Sequence, residues 1–422
     1  MVDTICIFEG IYYSRLLPLV YFRPTYDLRC GILTLREKIQ LCYPGIPVTL
    51  HTRAYLADLL REKNVNVKVN EFADNVRSCL FINGRVIADS DFSEKVPLEG
   101  SDTLYLDGDT IIAARVSGNN LENLKRSLND IFTVSDFAGL FKQQIQVKYV
   151  DYQWNLISNN ADEITSDFNR IVDRKSEMHK GIIYEGASLL NSANIFIDEG
   201  ATIKPGAVLD AEKGPIYIGK YAKVFPNSFI EGPCYIGAYT HVKAGARIYE
   251  GSSIGKVCKV GGEIEVSIIH SYSNKQHDGF LGHAYLGSWV NLGADTNNSD
   301  LKNNYGSVKV ILNDQQIDSG SMFVGLTMGD HAKSAINTMF NTGTVVGVCA
   351  NVFGAGFPQK YVPSFTWGGP ESLTTYDMDR SLEVAKRVME RRNVEFTDLD
   401  ERVFRKVFDL TKEERRKRGM PN

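Results

Sequence analysis

The segment SNKQHDGFLGHAYLG, residues 273–287, places His277 and His283 beside glycines and Asp278. Histidine is the side chain best suited to accept a proton near neutral pH, so an imidazole here is a candidate general base. The alternative is structural, namely a loop histidine that only hydrogen-bonds its own backbone. The secondary structure around residues 273–287 determines which of these two interpretations is favoured.

The chain around this segment has a hydrophobic period of six residues. Such a period fits neither an α-helix nor a plain antiparallel strand, but it is typical of a parallel β-helix, in which three flat sides close each coil. The aliphatic side chains would point inward and stack about 4.8 Å apart from coil to coil. The series is Ile218, Val224, Ile230, Ile236, Val242, Ile248, Ile254, Val260 and Val266, preceded by Ile197 and Ile203. Small residues for the corners follow most of these by four positions: Ala222, Ser228, Cys234, Thr240, Ala246, Ser252 and Cys258.

Downstream, the period is expected to resume at Val324, Ile336, Thr342 and Val348, with Asp330 as the member that departs from the pattern. The interval between Val266 and Val324 interrupts it. We expect the chain to leave one corner of the β-helix there, as a loop that exposes His277 in a cleft beside a neighbouring subunit.

The first 120 residues alternate short apolar runs with helical patterns, which predicts a parallel sheet covered by helices. LYLDGDTIIAARV, residues 104–116, instead predicts a hairpin that turns at Asp107-Gly108-Asp109. Residues 121–180 are polar and helix-prone, with Trp154, Leu156 and Ile157 as expected anchors. The predicted domains are an α/β domain at 1–150, a helical connector at 151–180, a β-helix at 181–368 and a helical tail at 369–422, whose basic end KEERRKRG is expected to be solvated.

Composition excludes several classes of protein. A net charge of −4 gives no electrostatic argument for nucleic-acid binding. The N-terminus MVDTICIFEG lacks the basic region of a signal peptide, and no apolar run approaches the ~20 residues that span a bilayer. Seven cysteines without a C-x-x-C pair indicate reduced thiols. We therefore expect a cytoplasmic protein that binds neither nucleic acid nor membrane.

The repeat I-G-x-x-small-x resembles the hexapeptide signature of left-handed β-helix acyltransferases. Within it, KQHDGFLGHAYLGSWVNLGADT (275–296) resembles, without a gap, a stretch of the bifunctional N-acetylglucosamine-1-phosphate uridylyltransferase/glucosamine-1-phosphate acetyltransferase family. That resemblance implies a left-handed coil, acetyl-CoA as acyl donor and a homotrimer or a multiple of it. It places His277 on the catalytic histidine and Asn291 on a sugar-binding asparagine.

Further substrate-binding residues follow from the same resemblance. Lys243 in VKAGA stands where the family has arginine, Phe280 where it has tyrosine, and Asn304-Tyr305 resembles a loop further on. Glu263 retains an acid of the family's E-M-K-K stretch, whereas Glu265 reverses the charge of a basic position. These departures put glucosamine 1-phosphate in doubt as substrate more than acyl transfer itself.

The same family has an N-terminal nucleotidyltransferase domain of Rossmann type, and SRLLPL (14–19) resembles the end of its nucleotide loop. The resemblance implies nucleotide binding by Gly10, Arg15, Arg23, Asn83 and Gly84. Arg85 replaces the expected Mg²⁺-binding acid, and a guanidinium cannot ligate a metal. The metal ligands are therefore unknown, with Asp89 as one alternative.

The predicted function is a sugar-phosphate transferase of sugar-nucleotide and cell-wall biosynthesis. The β-helix would transfer an acetyl group from acetyl-CoA to a sugar phosphate, and the N-terminal domain would perform Mg²⁺-dependent nucleotidyl transfer or be its remnant. Two alternatives remain: a sugar-1-phosphate nucleotidyltransferase whose β-helix only oligomerises, and a non-catalytic scaffold that binds sugar nucleotides. A zinc site at His270, His277 and His283 is disfavoured, because their spacing lacks the paired histidines of such sites.

Overall fold

A mixed sheet with a buried central strand forms the N-terminal part of the protein. The computed structural model describes residues 2–126 and 128–420. The strand order is β3-β2-β1-β4-β6-β5-β7, with β1 buried along its whole length because every residue of TICIF packs on one face or the other. The strands are β1 (Thr4–Phe8), β2 (Val48–Leu50), β3 (Lys68–Val69), β4 (Ser78–Asn83), β5 (Thr103–Asp107), β6 (Thr110–Ser117) and β7 (Phe141–Gln144).

The parallel and antiparallel halves of this sheet follow the sequence patterns. β1 runs parallel to β2 and β4, whereas β6 is antiparallel to β4 and β5, so the predicted hairpin at Gly108 is confirmed. A capping box between Thr34 and Glu37 starts the first long helix. The helices up to the β-helix are α1 (Leu35–Cys42), α2 (Ala54–Lys63), α3 (Phe92–Lys95), α4 (Gly118–Arg126), α5 (Gln153–Ser158) and α6 (Asn160–Ile171), with 3-10 turns at Ile11–Leu16, Thr25–Asp27, Val134–Phe137 and Ser192–Asn194.

Parallel sheets stacked along one axis form the predicted left-handed β-helix. We name its sides the docked face, the basic face and the third face. The docked face comprises Ile195–Ile197, Ile216–Ile218, Cys234–Ile236, Ser252–Ile254, Ile268–Ser271, Tyr285–Ser288, Thr327–Met328, Val345–Val346 and Tyr361–Val362. The basic face comprises Ile182–Ile183, Thr202–Ile203, Lys223–Val224, His241–Val242, Lys259–Val260, Asn274–Lys275, Lys333–Ser334, Asn351–Val352 and Thr366–Gly368, with Leu373–Thr375 added antiparallel. The third face comprises Ser188–Leu190, Val208–Asp210, Phe229–Glu231, Arg247–Ile248, Glu263–Glu265, Phe280–Gly282, Asn297–Asn298 and Met339–Phe340.

The predicted aliphatic column is confirmed up to Val260. Its members from Ile197 onward are fully buried in the interior of the β-helix, and the small corner residues are buried with them. Each inward side chain is in register with its counterpart one coil away, as Ile218 is with Ile236 and Ile254 is with Ile236. Burial of stacked aliphatic rows is therefore the main stabilising contribution in this part of the chain.

The column shifts register after Val260, where the sequence prediction is wrong. Ile248 pairs with Ile264 and Ile254 with Ile269, so these coils are shorter than three repeats of six. Val266 consequently leaves the interior and is half-buried against the N-terminal domain. A shortened turn with left-handed backbone at Val266 explains the shift.

The downstream prediction has the wrong phase. Ile336 is 68% exposed, and Val324 and Val348 are buried outside the β-helix interior, against a hairpin and the tail respectively. Thr342 is also outside, hydrogen-bonded to Ser299. The inward residues are Met328, Ser334, Phe340, Val346 and Val352, which keep the period of six.

The segment around His277 does not leave the coil, contrary to the expectation of a loop. Residues 274–275, 280–282 and 285–288 are strands of three successive faces. The excursion occurs later, between Asn298 and Val324, and contains the antiparallel hairpin Lys309–Leu312 and Gln315–Asp318. Val308 and Val310 of this excursion pack against Trp154 and Val345, which explains why it is ordered.

The N-terminal domain and the tail lie along the docked face. Ile268 and Tyr285 of that face pack against Leu16, Leu28 and the predicted anchors Leu156 and Ile157. The tail helices are α7 (Met378–Glu390), α8 (Asp398–Leu410) and α9 (Lys412–Arg416). Arg415 is buried and donates to Thr411 and to the carbonyl of Phe408, so the basic end is only partly solvated. None of the helices in the described residues has the length and hydropathy of a bilayer-spanning segment.

Candidate functional site

His277 lies at the corner between the basic face and the third face, which we call the His277 corner. It belongs to a short turn, Gln276-His277-Asp278-Gly279, that connects the strands Asn274–Lys275 and Phe280–Gly282. The side chain of His277 is exposed. The fold therefore presents this imidazole to solvent without needing the long loop that the sequence suggested.

Two glycines of the neighbouring coil, Gly261 and Gly262, pack tightly against the turn that carries His277. A Cβ on Gly262 would lie 2.7 Å from the His277 carbonyl oxygen, and one on Gly261 would lie 2.6 Å from that of Gln276 and 3.2 Å from Cβ of Lys243. Gly262 also has a left-handed φ of +68°. Lys243 and His277 thus lie on one corner, and only glycine fits at these positions of the coil between them.

A buried lysine supports the turn from inside. Lys275 occupies the column position above Val260 and donates from Nζ to the His277 carbonyl oxygen at 2.6 Å. Burial lowers the pKa of Lys275 to about 8, although Asp278 and Asp295 partly oppose the shift. Sequence reasoning missed this residue, whose signal was a lysine at the phase of the aliphatic column.

The faces that meet at the corner carry three more of the predicted site residues. Asn291 is next to Asn274 on the basic face, and its Oδ1 accepts from the Asn274 amide at 3.1 Å. On the third face, Glu263 is in register with Phe280 and forms an ion pair with Arg247 at 3.1 Å. The structure therefore brings Lys243, Glu263, Phe280 and Asn291 onto or beside the two faces that flank the His277 corner.

Asn304 and Tyr305 lie elsewhere on the same chain. Both belong to the excursion that leaves the corner between the third face and the docked face. Asn304 accepts from the Gly306 amide at 3.1 Å, and Tyr305 is 67% exposed. Their roles as substrate-binding residues stay a prediction, because within one chain they lie at a different corner from His277.

Basic side chains form a ladder along the basic face. Lys223, His241 and Lys259 are in register on successive coils, and Asn274 follows. Burial lowers the pKa of Lys259, and Arg392 and Lys243 lower it further. Within the described part of the chain, no carboxylate forms an ion pair with Lys223, Lys243 or Lys259. The signal in the sequence was a polar or cationic residue directly before Val224, Val242 and Val260.

The predicted nucleotide-binding residues Gly10, Asn83 and Gly84 meet at the carboxyl ends of β1 and β4, but this edge is filled by the protein itself. Asn83 donates to the Ile111 carbonyl, and a Cβ on Gly84 would lie 2.7 Å from the ring of Tyr26. Glu9, directly after β1, is fully buried and pairs with the buried Arg53 at 3.1 Å. The backbone donors that would approach a phosphate are thus covered or used.

Arg15 and Arg23 are not at this edge. Arg15 pairs with Asp151, which also pairs with Arg85, and Arg23 pairs with Asp330 of the β-helix. The carboxylates near the edge do not fit a Mg²⁺ ion, because Glu9 is engaged by Arg53 and Thr52 and no second free carboxylate faces it. Searched as a whole, the described residues contain no group of three or more His, Cys, Asp or Glu suited to a metal ion.

The three histidines of the disfavoured zinc interpretation lie on different sides of the β-helix. His270 is on the docked face, His277 at its own corner, and His283 pairs with Asp300 at 2.8 Å beneath Phe323. Their placement offers no common coordination site. Of these three histidines, His283 is the one whose ring contacts a carboxylate, a partner that the sequence analysis did not predict.

Comparison with known proteins gives matches in both halves of the chain. Residues 5–176 match the family described as sugar nucleotidyl transferase. The bifunctional protein GlmU of Bartonella quintana (strain Toulouse) is 24% identical over 323 residues, 72% of this chain and 65% of that protein. The chain is thus similar to a bifunctional GlmU protein over most of its length. GlmU of Rippkaea orientalis is 29% identical over 132 residues, 26% of this chain and 29% of the relative.

A third relative is named a bifunctional sugar-1-phosphate nucleotidylyltransferase/acetyltransferase, from Sulfurisphaera tokodaii. It is 30% identical over 97 residues, 22% of this chain and 24% of its own length. The chain thus spans less than two thirds of each of these curated relatives. Among solved structures, the UDP-N-acetylglucosamine acyltransferase of Francisella novicida matches with a TM-score of 0.32 and 14% identity, over 56% of this chain and 85% of that one, which is too weak to bear on fold or function.

Proposed function

We propose that the protein transfers an acetyl group from acetyl-CoA to the amine of a sugar phosphate at the His277 corner. The observation that supports this most is the exposed His277 on the same corner as Lys243, with only glycines on the coil between them. A general base needs an open approach for the substrate, and an anionic substrate needs a cation nearby. Both requirements are met by residues that the fold holds on one corner.

The chemistry needs one proton acceptor. The amine nitrogen attacks the thioester carbonyl carbon, a C–N bond forms and the C–S bond breaks. His277 accepts the proton from the attacking nitrogen and returns it to the departing thiolate. Asn291 would hydrogen-bond sugar hydroxyls and Lys243 would hold the phosphate, as a single point charge rather than a bidentate fork.

The basic face supports an acyl donor that carries phosphates. Lys223, His241 and Lys259 run along the β-helix axis towards the His277 corner without carboxylate partners. CoA is an extended molecule with several phosphates, and its length matches an anion-binding row better than a closed pocket. Charge reversal at Lys259 should therefore raise KM for acetyl-CoA and leave KM for the sugar phosphate nearly unchanged.

The decisive test is thiol release from acetyl-CoA with a panel of amino-sugar phosphates. His277→Gln should lower kcat by about 10²–10⁴-fold, the usual contribution of a positioned general base. His179→Gln, at the first coil and far from the corner, is the matched control and should keep wild-type kcat. Activity lost in His283→Gln but kept in His277→Gln would move the site to the other corner and overturn the proposal. If the wild type releases no thiol with any amino-sugar phosphate of the panel, the scaffold alternative remains.

The match of residues 5–176 to sugar nucleotidyl transferases favours a second activity or its remnant in the N-terminal domain. The filled carboxyl edge at Glu9, Asn83 and Gly84 supports the remnant. Pyrophosphate release from nucleoside triphosphates with sugar 1-phosphates and Mg²⁺ is the test. We expect no turnover; robust release would instead support the alternative in which the β-helix only oligomerises.

We also propose a homotrimer in which sites are completed between subunits. Asn304 and Tyr305 lie at a different corner from His277, so they can serve the same site only from a neighbouring chain. Mixing His277→Gln protein with Tyr305→Ala protein after dissociation and reassembly should recover part of the activity that each lacks. Sedimentation should give a trimer mass; a monomer, or no recovery on mixing, would contradict the shared site.

A further inference from the structure

A cleft lies where the N-terminal domain, the docked face and the tail helices meet, and we call it the junction cleft. Its volume is about 650 Å³, within the range of sites that bind small molecules. Its walls include Arg23 and Arg29 from the N-terminal domain, His270 and Trp289 from the β-helix, and Phe404 from the tail. It is separate from the His277 corner, which joins the two other faces.

Residues that line this cleft carry buried polar atoms without hydrogen-bond partners. The side chain of Arg23 is 10% exposed and pairs through Nη2 with Asp330 and Ser288, yet its Nη1 has no hydrogen-bond partner. His331 is 6% exposed, and its Nδ1 is likewise unpartnered, as is Nε of Arg29. Leaving a buried donor unsatisfied is energetically costly, so such a group next to a cavity points to a ligand.

Five cationic and six carboxylate side chains line the cleft, and among the described residues two of these cations, Arg29 and Lys256, form no ion pair. Asp330 is engaged by Arg23, Asp27 by Arg36 and Asp400 by Lys63, while Glu37 caps its own helix. Arg29 and Lys256 lie instead over aromatic rings, at 5.2 Å from the centroid of Tyr235 and 5.7 Å from that of Tyr272. Neither forms an ion pair with a carboxylate anywhere in residues 2–126 and 128–420. An anion is the ligand that these two groups lack.

His270 at the inner end of the cleft is held neutral and oriented. Its Nε2 lies 2.9 Å from the Asp27 carbonyl oxygen, and its Nδ1 lies 3.2 Å from the hydroxyls of Ser271 and Ser288. Burial lowers its pKa well below the usual value, and Arg23 and Arg29 lower it further. The ring therefore donates to the carbonyl and adds no positive charge, so recognition of an anion falls to Arg23, Arg29 and Lys256.

Flat aromatic surface lines the same wall. Tyr272 stacks on Trp289 at 4.3 Å between ring centroids, and Trp289 stacks on His331 at 5.9 Å. Such a column offers apolar contact to a ring of a ligand whose charged end reaches the arginines. The combination is that of a site for a small molecule with a phosphate at one end and a ring at the other.

We propose that the junction cleft binds a phosphorylated small molecule, with its phosphate between Arg23 Nη1, Arg29 and Lys256. This site is additional to the acyl-transfer site and does not depend on it. Because its walls come from three parts of the chain, an occupant would fix the N-terminal domain and the tail against the β-helix. The phosphate could be carried by a nucleotide or by a sugar, and the two are separated by the experiment.

The experiment is calorimetric titration of the full chain with uridine 5′-diphosphate, glucosamine 1-phosphate, pyrophosphate and uncharged N-acetylglucosamine. At least one phosphate-bearing probe should bind, and the uncharged sugar should not. Tighter binding of the diphosphate nucleotide than of pyrophosphate would identify the ring as a nucleobase, and tighter binding of the sugar phosphate would identify a sugar. Binding of no phosphate-bearing probe would overturn the proposal.

Variants distinguish this cleft from the basic face. Arg29→Met and Lys256→Met should each weaken the Kd at least tenfold, whereas Lys259→Met on the basic face should not. Lys204→Met is the matched control, because Lys204 also lies over a tyrosine ring, 3.8 Å from the centroid of Tyr184, but far from the cleft. His277→Gln should bind as the wild type does, so failure of acyl transfer leaves this test unaffected. Weakening by Lys259→Met alone would contradict the proposed location.

Discussion

Two Glu–Arg pairs at the same distance lie in the two regions where the sequence placed chemistry. Glu9 and Arg53 are 3.1 Å apart at the carboxyl edge of the N-terminal sheet, with side chains 0% and 3% exposed. Glu263 and Arg247 are 3.1 Å apart on the third face, with side chains 35% and 50% exposed. The first pair fills the predicted nucleotide-binding edge, whereas the second lies on a face beside the exposed His277.

The difference teaches how similar polar residues can either fill the end of a sheet or remain accessible on a face of parallel strands. At the carboxyl edge, polar groups turn inward and satisfy one another, with Arg53 also donating to the carbonyls of Val20 and Arg23. At the His277 corner, polar groups turn outward and leave hydrogen-bonding capacity for a substrate. The residue types are similar in both places, so the direction of the side chains determines whether the region is filled or accessible.

The largest expected effect is at the buried pair. Glu9→Gln should lower the free energy of unfolding by about 3–5 kcal/mol, because Arg53 would remain as a buried charge without its partner. Urea denaturation followed by circular dichroism measures it. The double variant Glu9→Gln/Arg53→Met, which removes both charges, should lose markedly less. A loss below about 1 kcal/mol in the single variant would mean that water reaches this edge, and would reopen it as a nucleotide site.

The next largest effect on stability is expected at Gly262, which packs against the turn that carries His277. Gly262→Ala should cost about 2–4 kcal/mol, since the new methyl group meets the His277 carbonyl oxygen and the backbone is left-handed. Gly245→Ala is the matched control on the same corner: its φ is +70°, and a Cβ there meets nothing within 4 Å. The control should cost about 1 kcal/mol and keep activity, whereas Gly262→Ala should also raise KM for the sugar phosphate. Equal losses of stability in Gly262→Ala and Gly245→Ala would contradict the tight contact between Gly262 and the His277 turn.

A third prediction concerns the buried lysine under the same turn. With a folded-state pKa of about 8 against 10.5 for the free side chain, Lys275 is charged in the folded protein at pH 7 at a cost. Lys275→Met should therefore stabilise the protein by about 1–3 kcal/mol at pH 7. As pH rises from 8 to 10.5 the unfolded chain binds more protons than the folded one, so the wild type gains stability and the difference shrinks. Thermal unfolding of both proteins, with exposed Lys220→Met as control, measures it; a pH-independent difference would contradict the buried charge.

The fold was largely predictable because its main signal is local. Aliphatic residues six apart identify a β-helix wherever the coils keep their length, as they do from Ile218 to Val260. The prediction failed at Val266 and downstream, because a shortened turn and a hairpin excursion reset the phase. Which residue of a period points inward is set by its coil neighbour, which lies far along the chain and is invisible to a local pattern.

The candidate sites were predictable to different degrees for the same reason. Lys243, Glu263, Phe280 and Asn291 lie on or beside the two faces that flank the His277 corner, because the coils stack neighbouring strands in register. The filling of the carboxyl edge was not predictable, since Arg53 and Tyr26 reach it from other segments. The junction cleft was hidden as well, because its cations and aromatic rings come from three separate parts of the chain.

The smallest expected effect is at the exposed pair, and it completes the comparison with Glu9. Glu263→Gln should change the free energy of unfolding by less than about 1 kcal/mol, because water solvates Arg247 once its partner is neutral. If Glu263 contacts the substrate as proposed, the same variant should change KM for the sugar phosphate with little change in the KM for acetyl-CoA. Urea denaturation and thiol-release kinetics on one protein preparation measure both quantities. A large stability loss with unchanged kinetics would assign Glu263 to the structure of the third face, and the two pairs would then differ only in burial, not in role.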